Sequence, residues 1–320
     1  MGADNVHATK GERMYDTGST TFMLICTMLV FLMTPGLAFF YGGLSRRKNV
    51  INTMLMCFGA IGLVGVLWIA AGWSLAYGGD GSSPFIGGFD QLLCLPVLNQ
   101  VLQAAEDNAA DGAVYPQIIN IAFQMAFAMI TAAIVTGSLA GRVKFGAMTA
   151  FLGIWLLVVY APLAHMVWGG DGSFIGDIIG ALDFAGGDVV HISSGLTGLI
   201  LCLMLGRRRG FGMVSYRPHS VPFVALGAGL LWFGWFGFNG GSEFKADAVA
   251  ALVDGQRGGH GFVACRRARA YRSPHAGGRQ HRSGCGPCGG HAGCGLCRAV
   301  GSAGHGPDRL ACLLPGHQPS

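Results

Sequence analysis

Residues 17–45 read TGSTTFMLICTMLVFLMTPGLAFFYGGLS, twenty-nine positions without an Asp, Glu, Lys or Arg. Asp16 bounds the stretch on one side and Arg46 on the other. It holds a helix longer than the ~18–20 apolar residues that cross a bilayer's hydrocarbon core. Five more charge-free runs follow, between Lys48 and Asp80, Asp111 and Arg142, Lys144 and Asp171, Asp188 and Arg207, and Arg217 and Glu243. In lipid every backbone N–H and C=O must be paired internally, which leaves helices or closed barrels. The runs are too long and too evenly apolar for barrel strands, so the pattern predicts an all-α, polytopic membrane protein with six spans.

Composition agrees, with 52% hydrophobic and 12% charged residues. The net charge of +5 tells less than its arrangement. Arg46, Arg47 and Lys48 follow the first run, Arg142 and Lys144 the third, and Arg207, Arg208, Arg209 and Arg217 the fifth. The alternate connections are acidic, carrying Asp80, Asp90, Glu106, Asp107 and Asp111, then Asp171, Asp177, Asp183 and Asp188. The positive-inside rule puts the basic loops in the cytoplasm and the N-terminus outside. A cell membrane location is expected, with residues 1–18 as an extracytoplasmic N-terminus and 19–253 as the membrane domain. No cleaved signal peptide is expected. The segment from Asp80 to Tyr115, with Pro84 and Pro96, reads as an outer cap rather than a crossing. Pro35-Gly36 predicts a kink in the first span, and Gly59, Gly62, Gly65, Ala225 and Gly229 predict close helix approach.

From about residue 254 the composition changes to Gly, Arg, His, Cys, Ala and Pro without helical or strand periodicity. A GC-rich coding sequence translated out of frame gives this mixture; a disordered basic tail is the alternative. Cys285, Cys288, Cys294 and Cys297 form two CxxC pairs around His291, but only five residues separate the pairs. Zinc ribbons use a dozen or more, so no metal site is expected. No cofactor and no nucleic-acid partner are expected, and no nucleophile–base set points to an enzyme.

Four features inside the spans carry possible chemistry. His191 lies just inside the fifth run, where an ionisable group is a functional candidate and a backbone-tied core histidine is the alternative. Trp168 closes the fourth run, either as an interfacial anchor or as a face that attracts a cation. Phe123 and Phe127 share one helix face, as a stack or as ordinary packing. Asp183 precedes the fifth span, where an acid most often caps a helix.

The strings FFYGGL (39–44), AFQ (122–124), AHMVWGG (164–170), ALDFAGG (181–187) with His191 after it, and GWFGFN (234–239) occur in one order across residues 19–245. Together they resemble the ammonium transporter family (the Amt/Mep/Rh group). The resemblance implies an eleven-helix fold of two inverted five-helix halves, of which this chain carries the first half and one further helix. It implies an outer ammonium site at Trp168, Phe123 and Ser242, with a stacked gate of Phe127 and Phe238 beneath it. It further implies a pore histidine at His191 and supporting roles for Asp183, Trp235 and Asn239. A channel-like ammonium/ammonia transporter follows, homotrimeric when intact, whose relatives answer to PII-type signalling proteins through a C-terminal region not found here. The second pore histidine has no counterpart, since His260, His275 and His281 lie outside any apolar helix. This copy is therefore expected to be inactive and poorly stable. An ammonium sensor, a thiol- or metal-dependent module on a membrane anchor and a non-functional frameshifted product are the other readings.

Overall fold

The computed structural model describes residues 15–253, apart from 80, 82, 105–114, 209–210, 212 and 214–216. The tail segment 254–320, with its cysteine pairs and histidines, lies outside the described residues. Among the described residues the fold is carried by α1 (Thr17–Leu44), α2 (Arg47–Tyr77), α3 (Leu95–Ala104), α4 (Gln117–Leu139), α5 (Phe145–Trp168), α6 (Gly187–Leu205) and α7 (Val221–Glu243). All but α3 are long and apolar enough to cross a membrane. Among the described residues there is no strand.

Some of the charges near the ends of the runs satisfy helix termini. Asp16 accepts hydrogen bonds from the Gly18 and Ser19 amides at the start of α1. Those bonds, the ones to Ser19 foremost, hold its carboxyl below the usual carboxylate range. At the opposite, basic end, Arg142 donates to the Ser138 and Gly206 carbonyls, and Arg208 to the Ala140 carbonyl. Helix C-termini leave such carbonyls without intrahelical partners, and cations suit their negative dipole ends.

α4 is the central post, and most of its length is buried. Tyr41 of α1 donates to the Ile134 carbonyl, and Trp68 of α2 to the Ile121 carbonyl. Cys57 of α2 meets Thr136 within hydrogen-bond distance, and Gly198 of α6 passes beside Ser138. Apolar side chains gain little by leaving lipid for protein, so tight van der Waals packing and such bonds join the helices.

The closest helix pair is α1 with α7, and its seam corrects the expectation about small residues. A Cβ placed on Gly62 or Gly229 would meet nothing within 4 Å. Gly59 and Gly65 do face neighbours, Phe145 and Met129. The backbone-to-backbone approach falls instead on Gly36, Gly43, Gly227, Gly234 and Gly237; a Cβ on Gly227 would sit 2.6 Å from the Gly36 carbonyl oxygen and strike the Phe40 backbone. Spacing marks a small residue but not which side of its helix faces protein. Pro35 stands inside α1, one position before Gly36 on this seam. Gly227→Ala is expected to cost about 1–3 kcal/mol through overpacking, and Gly62→Ala to stay within about 0.5 kcal/mol. Reversible unfolding in mixed micelles reads both. Equal losses would show that the seam does not depend on the glycine.

The helices are not uniformly α. Wider π turns occupy Trp68–Gly72 in α2, Leu156–Tyr160 in α5 and Gly187–Ile192 at the start of α6. Such turns rotate the side chains that follow them, often at functional sites. Nothing in the hydropathy pattern announces them.

Candidate functional site

Near the acidic end, four elements bring aromatic rings into one continuous column. Phe123 and Phe127, one turn apart on α4, are each 1% exposed, with ring centroids 4.8 Å apart and planes tilted by 50°. Phe238 of α7 lies flat on Phe127, at 4.1 Å and 13°. Trp168, the last residue of α5, meets Phe127 edge-on at 6.2 Å. On the far side of Phe238, His191 stands at 5.9 Å, and Trp235 stacks beside His191 at 6.0 Å and 29°. Trp168, Phe127, Phe238 and His191 thus follow one another through ring contacts. The expected stack of Phe123 on Phe127 is a tilted contact, and the parallel stack is the cross-helix one.

Asp183 builds the turn that holds the two ends of this column. Its carboxylate accepts from four successive amides, Gly186 at 2.6 Å, Gly187 at 2.7 Å, Asp188 at 2.8 Å and Val189 at 3.1 Å. These are the unpaired donors at the start of α6, capped by one acid. Its own carbonyl accepts from the Trp168 indole N–H at 2.8 Å. Gly186 has φ 94°, a left-handed conformation that costs a side-chain-bearing residue, and a Cβ there would press on Val190. The π turn that follows places His191 beside Phe238. Ser193 and Ser194 bond back to the Val189 and Val190 carbonyls.

The remaining candidates gather at the end of α7. Ser242 is buried and donates to the Phe238 carbonyl at 2.8 Å, which leaves its oxygen lone pairs as acceptors. Asn239 is buried one turn before Glu243, and its carbonyl helps to close the helix end. Gly241, next to Ser242, lies against the edge of Phe123. Phe244, which sequence reading passed over, turns back in the left-handed region and meets Phe123 edge-on at 6.0 Å. Its neighbours Glu243 and Lys245 mark the span's end, and no periodicity points to an inward ring.

The π faces of aromatic rings attract small cations, and a hydroxyl oxygen can accept their N–H groups. Among the described residues no group of His, Cys, Asp or Glu is placed to hold a metal ion. The family model described as Ammonium Transporter Family matches residues 21–258, well over half of the chain.

The chain belongs to the ammonium transporter family.

An ammonium transporter of Aquifex aeolicus is 46% identical over 245 residues, which cover 76% of this chain and 54% of that protein. One from Mycobacterium bovis is 44% identical over 251 residues, covering 74% and 53%. The crystal structure of Candida albicans Mep2 superposes with a TM-score of 0.65 at 34% identity, over 74% of this chain and 50% of that one. This member of the ammonium transporter family is thus a multi-pass membrane protein that spans about half the length of the relatives it matches. All the strings on which the resemblance rested fall inside the matched residues, and the matched region ends shortly after the last described helix.

Proposed function

We propose that residues 19–253 form one wall of an ammonium conduction path in the cell membrane, with the acidic end and the N-terminus outside. The stack of Phe127 on Phe238, set between Trp168 and His191, carries this reading. Ammonium is recruited against Trp168 and Phe123, with the Ser242 hydroxyl oxygen accepting one of its N–H groups. Each exposed cation–π contact supplies about 0.5–1 kcal/mol, and more where water is excluded. A bare cation does not pass a dry aromatic constriction cheaply, whereas ammonia does. The ion therefore passes its proton to water on the outer side of the gate, and His191 receives ammonia beyond Phe238 through a ring nitrogen. Potassium has ammonium's charge and similar size but no N–H to donate. Asp183 holds Trp168 and the start of α6 in register, and Trp235 supports the His191 ring.

A path needs a second wall. α6 and α7 leave apolar side chains uncovered, with Leu203 72% and Phe233 56% exposed. A single wall does not isolate a polar solute from lipid, so the 320-residue chain alone is expected to be silent in transport. Complete family architecture, assembled as a trimer, would restore the path.

The outer site is testable without transport. Methylammonium chloride titrated onto the chain in nanodiscs is expected to change tryptophan fluorescence with a Kd of about 1–10 mM, worth about 3–4 kcal/mol. Sodium chloride should give no response, and Trp168→Leu should abolish it. A methylammonium response that survives Trp168→Leu would remove Trp168 from the site.

A further inference from the structure

At the end opposite the aromatic column, the connections from α1 to α2, α4 to α5 and α6 to α7 carry the basic clusters of the membrane domain. These connections are stitched together. The His219 and Ser220 amides donate to the Ser45 and Gly43 carbonyls at 3.2 and 3.1 Å. Gly141 passes so close to Asn49 that a Cβ there would stand 2.5 Å from the Asn49 side-chain nitrogen. Arg142 and Arg208 are engaged within this end, on the Gly206 and Ala140 carbonyls.

Five further cations there, Arg47, Lys48, Lys144, Arg207 and Arg217, are exposed. No Asp or Glu occurs between Asp16 and Asp80, between Asp111 and Asp171 or between Asp188 and Glu243. The segments that build this end therefore hold no carboxylate for them. Among the described residues the ion pairs are those of Lys245, at the opposite end. Exposed apolar side chains stand beside the cations. Ile51, 76% exposed, is three residues after Lys48, and Met204, 78% exposed, is three before Arg207. Phe145 adjoins Lys144, and Val221 follows Arg217 by four residues; both are exposed. Long basic side chains set at a span's end lay their stems along apolar surface and bring their charges to the level of the lipid headgroups. A free anion or an acidic protein surface offers nothing to cover Ile51 and Met204, whereas a bilayer covers them with acyl chains.

We propose that this end is a docking surface for anionic phospholipid. Its phosphates are held by Arg47, Lys48, Lys144, Arg207 and Arg217, and its acyl chains lie against the apolar side chains next to them. Each cation near an anionic leaflet favours the charged lipid about fivefold. The inference does not depend on ammonium conduction.

The lysines make the test local. The chain has four: Lys10 before α1, Lys48 and Lys144 at the basic end, and Lys245 after α7. Reductive ¹³C-methylation keeps their charge and gives each an NMR signal. The methylated 320-residue chain is held in phosphatidylcholine nanodiscs that contain a small, equal fraction of phosphatidylglycerol or phosphatidylcholine with a nitroxide high on one acyl chain. Broadening at Lys48 and Lys144 is expected to be at least about fivefold stronger with labelled phosphatidylglycerol. At Lys245 the two lipids should broaden equally. Sodium chloride at about 0.5 M should bring the basic end close to parity by screening. Replacing Arg47, Arg207 and Arg217 together by Gln should cut the preference below about twofold, and replacing all three by Lys should keep it. Unfolding in pure phosphatidylcholine checks that both variants are folded. Equal broadening by the two lipids at Lys48 and Lys144, or a preference that survives the triple Gln substitution, overturns the proposal. Abolition of the preference by millimolar inorganic phosphate at constant ionic strength also overturns it, by assigning the cations to a free anion.

Discussion

Asp183→Ala is expected to destabilise the chain by about 3–5 kcal/mol, among the largest effects of any single substitution outside the packed core. Four amides give hydrogen bonds to one carboxylate, and bonds to a charged acceptor are worth roughly 1.5–3 kcal/mol each. Water at the membrane surface replaces part of that sum, which brings the net loss below four full bonds. Asp183→Asn keeps one oxygen and is expected to lose about half as much. Because the Asp183 carbonyl also accepts the Trp168 indole N–H, both variants should blue- or red-shift Trp168 emission along with the loss of stability. Thermal unfolding in nanodiscs reads the first effect and fluorescence the second. Asp183→Ala within about 1 kcal/mol of wild type would mean that the turn is held by its glycines and by packing rather than by the acid.

Phe127→Ala carries the other large effect, about 3–5 kcal/mol, the usual loss on emptying a buried phenylalanine site. Phe127 is 1% exposed and touches three rings, Phe123, Phe238 and Trp168. Its removal opens a gap that none of them can fill without leaving its own helix face. Phe127→Leu restores most of the volume and should recover all but about 1–2 kcal/mol, since a well-formed aromatic pair contributes about 0.5–1.5 kcal/mol beyond area. Reversible unfolding of the two variants separates volume from ring stacking. A leucine variant as weak as the alanine one would assign the loss to stacking geometry; an alanine variant near wild type would show that the column is not packed.

The fold was legible in sequence because lipid imposes a simple rule. A run without charges, long enough to cross, has one outcome, and the helices begin within a few residues of Asp16, Lys144 and Asp188. Their faces were less legible. Gly62 and Gly229 look as suited to a helix seam as Gly36 and Gly227 do, yet in lipid both sides of a span are apolar, so periodicity does not say which side meets protein. The site divided in the same way. Phe123 and Phe127 were paired by spacing on one helix, and an acid before α6 read as a cap. Phe238 joins Phe127 from a different helix, a contact no local spacing contains; only the family resemblance named the pair. That Asp183 takes four donors depends on Gly186 turning left-handed, and that His191 meets Phe238 depends on a π turn. Neither leaves a mark on hydropathy.

The most direct test of the account joins residues 15–253 of this chain to the remaining half of the Aquifex aeolicus relative and measures methylammonium flux into liposomes. Half of a path with an intact outer site predicts a folded chimera that conducts, loses flux on Trp168→Ala, and contrasts with a silent 320-residue chain. A folded, monodisperse chimera without flux, or saturable flux through the 320-residue chain alone, would contradict it.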